Sequence, residues 1–149
     1  MLEDVRAHGS STINQIFDDY FELFPPYEGV ELLRGMARRS RYVREWLIFL
    51  QQYPLVLSPF LLQPTYAWDR DAQGKEGVQE VLGTAFWSYA MNFLGLPAGN
   101  VPANYNDGMP VGIQIIGQRF REDLILDACE TIEQHTGPMA QRLFAREST

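Results

Sequence analysis

The chain is poor in metal ligands and in lysine. Its 149 residues hold one cysteine, two histidines and a single lysine, Lys75. A lone cysteine excludes an internal disulfide and fits a reducing compartment, so the expected location is the cytoplasm. Zinc or another transition metal needs several converging His, Cys or carboxylate ligands. His8, Cys129 and His135 are too few and wrongly spaced for that, and no metal or cofactor is expected. Long apolar runs are also missing. Trp46-Leu47-Ile48-Phe49-Leu50 is typical of the best, far short of the roughly 18 residues of a membrane span. The N-terminus carries early acids and no apolar signal core. There is no phosphate-binding glycine loop and no dinucleotide fingerprint. Twelve basic against 19 acidic residues give a net charge of −7, which argues against nucleic acid and membrane surfaces as partners.

Hydrophobic residues make up 46% and charged residues 21%, as in an ordinary globular protein. No linker or repeat divides the chain, so residues 1–149 are expected to form one domain. Positive charge is gathered at Arg34, Arg38, Arg39, Arg41 and Arg44, a window without an acid. Such a run usually marks the solvated side of a helix, although an anion or acidic-partner site is the alternative. Asp18 and Asp19, and Asp69 and Asp71, read as solvated carboxylates.

Periodicity predicts four helices. Ile13, Ile16, Phe17, Tyr20, Phe21 and Phe24 recur at helical spacing after Gly9-Ser10-Ser11-Thr12, where a hydroxyl can cap the first turn. Pro25-Pro26 ends that helix. A second runs over 28–52, with Val30, Leu33, Ala37, Ser40, Leu47 and Leu50 as its stripe. A third covers 78–93, with Gly95 as its C-terminal cap, and a fourth covers 122–134, with Cys129 in its apolar stripe. Between the second and third lies a long loop, 58–77. Strands are predicted near 54–58, 98–103 and 111–117, with a turn at Asn106-Asp107-Gly108. Pro102 demands an edge or a bulge. Val111 to Ile116 is apolar on both faces, the mark of a central strand covered twice. The expected class is therefore α/β, a small mixed sheet of about three strands packed with about four helices.

One block goes further than periodicity. Asn92-Phe93-Leu94-Gly95-Leu96-Pro97-Ala98, then Val101-Pro102, then Asn106 to Gly117 (NDGMPVGIQIIG) resembles the C-terminal part of the amidase signature family. Glu122, Leu124 and Leu126 follow the family's last helix. Upstream, Arg44-x-Trp46 and Tyr53 to Pro59 resemble the helix and strand that precede its pocket-rim loop. Asn92 and Gln114 match motif positions, and as buried amides their simplest role is to satisfy backbone near the sheet.

The resemblance implies a hydrolase that cleaves amides with a nucleophilic serine, a bridging serine and a lysine base, with backbone N–H groups on the oxyanion. Those groups belong to the family's N-terminal portion, so no catalytic residue is expected in this chain. Gly9-Ser10-Ser11 echoes part of the family's serine loop but reads as a helix cap, and Lys75 reads as a solvated loop lysine. The resemblance places Ser58, Pro59, Phe60 and Trp68 along a substrate cleft. A small amide substrate is expected only in a complete enzyme. Because the chain starts at Met1, a separate reading frame is the expectation. The implied partners are a complementary N-terminal amidase chain or a second copy in a closed dimer, with Trp46, Ile48 and Phe49 as the sticky surface. A non-catalytic binding or assembly module that keeps the fold is the rival reading, and an enzyme with an unrelated new site is a third.

Overall fold

A computed structural model describes residues 2–139, 141 and 144. Three strands, β1 (Leu55–Pro59), β2 (Ala98–Asn106) and β3 (Met109–Gly117), form one sheet in the order β1-β3-β2. Both pairings are antiparallel, so β1 and β2 run the same way on either side of β3. The hairpin from β2 to β3 turns on two residues, Asp107 at φ 49° and Gly108 at φ 82°. Two positive φ values in a two-residue loop match the right-handed twist of the flanking strands. Pro102 lies on the edge strand β2, and the register slips between it and Asn104. The residue that cannot donate to the ladder therefore has both the edge and the bulge.

Six α-helices surround the sheet among the described residues: α1 (Leu2–His8), α2 (Ser11–Leu23), α3 (Gly29–Gln52), α4 (Gly74–Thr84), α5 (Phe86–Leu94) and α6 (Glu122–Thr136). The α/β class stands, but the three-stranded sheet is wholly antiparallel rather than mixed, because β3 runs against both of its neighbours, and there are more helices than periodicity predicts. One addition is α1, whose Arg6 bonds to Asp18 on α2 at 2.6 Å. The other comes from a break in the helix expected over 78–93. The N–H of Leu62 donates to the carbonyl of Thr84 at 2.9 Å, and the Thr84 hydroxyl donates back to the carbonyl of Glu80 at 2.8 Å. A carbonyl claimed by a loop no longer serves the next turn, and the helix restarts at Phe86. The expected loop is correspondingly shorter: α4 begins at Gly74, after a 3-10 turn at Arg70–Ala72.

The core lies on both sides of β3. On one face Ile116 packs with Val43 and Leu50 of α3, and with Met91 and Leu94 of α5. On the other, Ile115 packs with Val101 of β2 and Ile125 of α6. Cys129 joins this second cluster, its thiol pushed up by burial and then by the charge of Glu133. On α3 the buried stripe is Val43, Trp46, Leu47 and Leu50. Val30 and Leu33 are 61% and 70% exposed, and Ala37 and Ser40 are also accessible, because burial on α3 begins only at Val43. Asp19 departs from expectation: it is buried on α2 and accepts from the Gln15 amide at 3.3 Å.

Close packing of the 3-10 turn against α4 rests on one glycine. A Cβ on Gly77 would fall 1.9 Å from the Arg70 carbonyl oxygen, whereas at Gly83, on the same helix, nothing lies within 4 Å. Gly77→Ala is expected to destabilise the fold by about 1–3 kcal/mol through overpacking. Gly83→Ala should stabilise it by roughly 0.5–1 kcal/mol through helix propensity alone. Urea denaturation of the two variants checks the opposite signs.

Candidate functional site

The end of β1 leads the chain over the sheet, where two small clefts meet. Phe60 and Asn100 line both. One, about 220 Å³, is also bordered by Ser88 and Asn92 of α5 and by Gln114 of β3. The other, about 240 Å³, is bordered by Gln63, Thr65 and Gly112. A row of polar side chains crosses the sheet beside them: Asn100 borders both clefts and Gln114 the first, while Ser58, next in the row, borders neither. Ser58 pairs with Gln114, and Gln114 pairs with Asn100, so the three share a face. Gln114 is only 3% exposed and donates through Nε2 to the carbonyl of Trp87 at 3.4 Å. Asn100 lies across Gly112, where a Cβ would stand 2.8 Å from its Oδ1. Ser58 is 7% exposed, and its hydroxyl has no partner among the described residues.

Of the residues that the sequence points to, Phe60 borders both clefts and Ser58 lies in the polar row. Pro59 is exposed at the end of β1. Trp68 is 90% exposed and borders neither cleft. Asn92 and Gln114 both border the first cleft, but only Gln114 is the expected buried amide satisfying backbone, and Asn92 is exposed because it lies on the open side of α5. Asn100 and Ser88 carry no motif of their own, and only the strand register and the start of α5 bring them in. The two decoys lie elsewhere. Ser10 caps α2, its Oγ accepting from the Ile13 N–H at 3.2 Å. Lys75 sits in the first turn of α4 and is ion-paired with Glu22. Among the described residues no serine is hydrogen-bonded to a lysine or histidine, and no three His, Cys, Asp or Glu side chains converge as metal ligands.

Two cations hold the wall of the cleft. Helix α5 ends in a Schellman cap: Gly95 at φ 67° lets its own N–H reach Asn92 and the Leu96 N–H reach Met91. The last carbonyls then face two guanidinium groups. Arg39 of α3 donates to the carbonyls of Phe93 and Leu94, and Arg119 donates to those of Leu94 at 3.0 Å and Gly95 at 3.1 Å. Positive charge at a helix C-terminus complements its dipole. Among the other clustered arginines, Arg34 and Arg41 pair with Glu31 and Glu45 along α3, and Arg38 and Arg44 are exposed.

The rim of the cleft is held by Glu80 of α4. Its carboxylate accepts from Gln63 at 2.9 Å and from Arg70 at 2.7 Å, and the Tyr66 hydroxyl donates to the neighbouring Val81 carbonyl at 3.2 Å. The Gln63 hydrogen bond, and after it that of Arg70, holds the Glu80 carboxyl below its ordinary value. A group whose value falls on folding contributes stability at neutral pH that is lost as pH falls through the folded value. Protection against hydrogen exchange in 62–73, corrected for the intrinsic pH dependence of amide exchange, should therefore be constant around neutrality and fall in acid, below the ordinary glutamate value of about 4.3. Glu80→Gln should lower protection at neutral pH and flatten its acid dependence.

Known proteins share the sequence that builds this cleft. The Amidase family model matches residues 21–126. An indoleacetamide hydrolase of Bradyrhizobium japonicum is 39% identical over 113 residues, which is 75% of this chain and 24% of that protein. Its counterpart in Bradyrhizobium diazoefficiens is 42% identical over 114 residues, 75% of this chain and 22% of the relative. One subunit of the glutamyl-tRNA(Gln) amidotransferase of Streptococcus gordonii is 29% identical over 141 residues, 91% of this chain and 28% of the relative. The crystal structure of the same subunit from Thermotoga maritima shares the fold, with a TM-score of 0.62 at 24% identity over 91% of this chain and 27% of that one. The chain thus spans about a quarter of the length of these relatives. A family match over residues 21–126, most of the chain's length, shows that the chain belongs to the amidase family.

Proposed function

We propose that this chain is the C-terminal portion of an amide-hydrolysing enzyme, that it contributes one wall of the substrate cleft and no nucleophile, and that it acts in the cytoplasm. The observation that carries this reading is a family match over residues 21–126 on a site without a nucleophile–base pair among the described residues. Catalysis by a Ser-Ser-Lys centre then requires a complementary polypeptide. Ser58, Pro59 and Phe60 form this chain's share of the acyl-side wall, and Trp68 joins it only in the assembled enzyme. The substrate is a small amide of the type named for the Bradyrhizobium relatives.

Surface chemistry supports a need for partners. Ile48 and Phe49 are exposed on α3, and so are Val30, Leu32, Leu33 and Met36 on the same helix. Trp46 differs from its neighbours: it is half-buried against the core formed by Val43 and Leu50. Edge strands β1 and β2 each leave one side of their ladder unpaired within this sheet. Large apolar patches and open edges recruit other chains. Without a complementary chain, a closed dimer is the expected form.

Two measurements test the reading. Incubated alone with short aliphatic and aromatic amides, the chain should release no ammonia above buffer. Turnover that survives repurification and disappears in Ser10→Ala or Ser11→Ala would overturn the absence of a nucleophile. Light scattering behind a sizing column should give more than one chain per particle at micromolar concentration. A clean monomer would shift the balance to the rival, a non-catalytic binding or assembly module.

A further inference from the structure

We infer that the arginine face of α3 is a docking surface for α6 of a second copy of this chain, so that copies join head to tail. This association is independent of the amidase reading and separate from the apolar dimer.

The two helices carry matching patterns of opposite charge. On α3, Ala37 is exposed, and the exposed Arg34, Arg38 and Arg41 stand three residues before it, one after it and four after it. On α6, Leu126 is 67% exposed, and the exposed Asp123, Asp127 and Glu130 stand at the same three offsets. Residues at these offsets lie along one flank of the central residue. In an antiparallel helix pair like flanks face each other, and charges on the flanks of a seam set partner and orientation. With Leu126 seated against the small Ala37, Arg34 then meets Glu130, Arg38 meets Asp127 and Arg41 meets Asp123. Arg38 and Asp127, the middle pair, have no ion-pair partner among the described residues. Arg34, Arg41 and Asp123 are held only by near neighbours, Glu31, Glu45 and Arg121. Such exposed pairs contribute little and exchange readily.

Within one molecule these faces do not meet. Helix α3 packs on the sheet face that holds Ile116, and α6 on the face that holds Ile115. The charged rows lie on the solvent sides of both helices. Their complementarity is therefore between copies, and a surface that binds a different surface propagates head to tail until a ring closes. The contrast between the helices is strong. Five carboxylates on α6 face no lysine or arginine of the same helix, and five arginines on α3 outnumber Glu31 and Glu45.

Salt separates this contact from any other. Each copy has a net charge of −7, so whole molecules repel. Screening that repulsion strengthens an apolar self-contact and weakens one made of opposite charges.

The test is sedimentation velocity of the full chain at about 0.02 M and about 0.5 M salt, where the Debye length falls from about 20 Å to about 4 Å. The average mass should be higher at low salt, with association at least about tenfold weaker at high salt. Arg38→Glu and Asp127→Lys each set like charges against one another, and each should weaken the low-salt association about tenfold. Combining both in one chain restores opposite charges at the middle pair and should recover it. Both positions are exposed, and a thermal melt verifies that the variants fold. A mass that stays constant or rises with salt would overturn the inference. So would single variants that associate like the parent, which would leave the arginine face to an acidic partner other than this chain, or a double variant no better than the singles. The apolar dimer persists at high salt, so particle mass there tests the proposed function, and the change with salt tests this contact.

Discussion

Ile115 and Ile116 are adjacent on β3 and neither has accessible surface. Neighbouring strand residues point to opposite faces, so each lies in a different core, one under α6 and the other under α3 and α5. The same strand is paired along both edges. A slip of one residue would send Gln114 into the apolar face under α6 and bring an isoleucine to the cleft floor. Both faces are dense enough to forbid that. On the α6 side the helix comes so close that a Cβ on Gly99 would meet Ile125 at 2.7 Å, and one on Gly117 at 2.9 Å. The polar row is thus a consequence of register, and hydrophobic packing on two sides holds the register.

The walls of the cleft depend on polar contacts instead. Helix α5 carries Ser88 and Asn92, and its outer end is fastened by Gly95, Arg39 and Arg119. Arg39 comes from α3 and Arg119 from the segment after β3, so one helix terminus ties three parts of the chain together. Across the cleft, Glu80 collects Gln63 and Arg70 and keeps the segment after β1 against α4. These contacts lie at the rim, where solvent screening limits what each contributes to stability. Their role is placement: they set where Phe60 and Gln63 stand relative to Asn100.

The parts of this arrangement that were legible in the sequence are those decided by near neighbours. Asp107-Gly108 makes its turn, Gly95 its left-handed cap and Ser10 its helix cap from chemistry within a few residues, and of the strand expected to be covered twice only the end from Gln114 is buried, Val111 being exposed. What stayed hidden depends on partners far along the chain. The break after Thr84 needs the N–H of Leu62, and the burial of Asp19 needs the helices packed around α2. Val30 and Leu33 show the converse: an apolar stripe is buried only where something covers it, and both of these stay exposed. In the site, Gln114 and Asn92 were marked by their motif. Asn100 was not, because its place beside Gln114 comes from strand register rather than from its own neighbours.

Charge and neutral polarity are used for different tasks in this molecule. Ion pairs join elements at the surface, as Arg6 does with Asp18 and Arg70 with Glu80. Both partners there stay close to water, and the cost of burying a charge is avoided. The cleft floor has the opposite composition, with uncharged dipoles fixed by the sheet. Such groups bind neutral polar ligands at little desolvation cost, and they offer nothing to balance an anion.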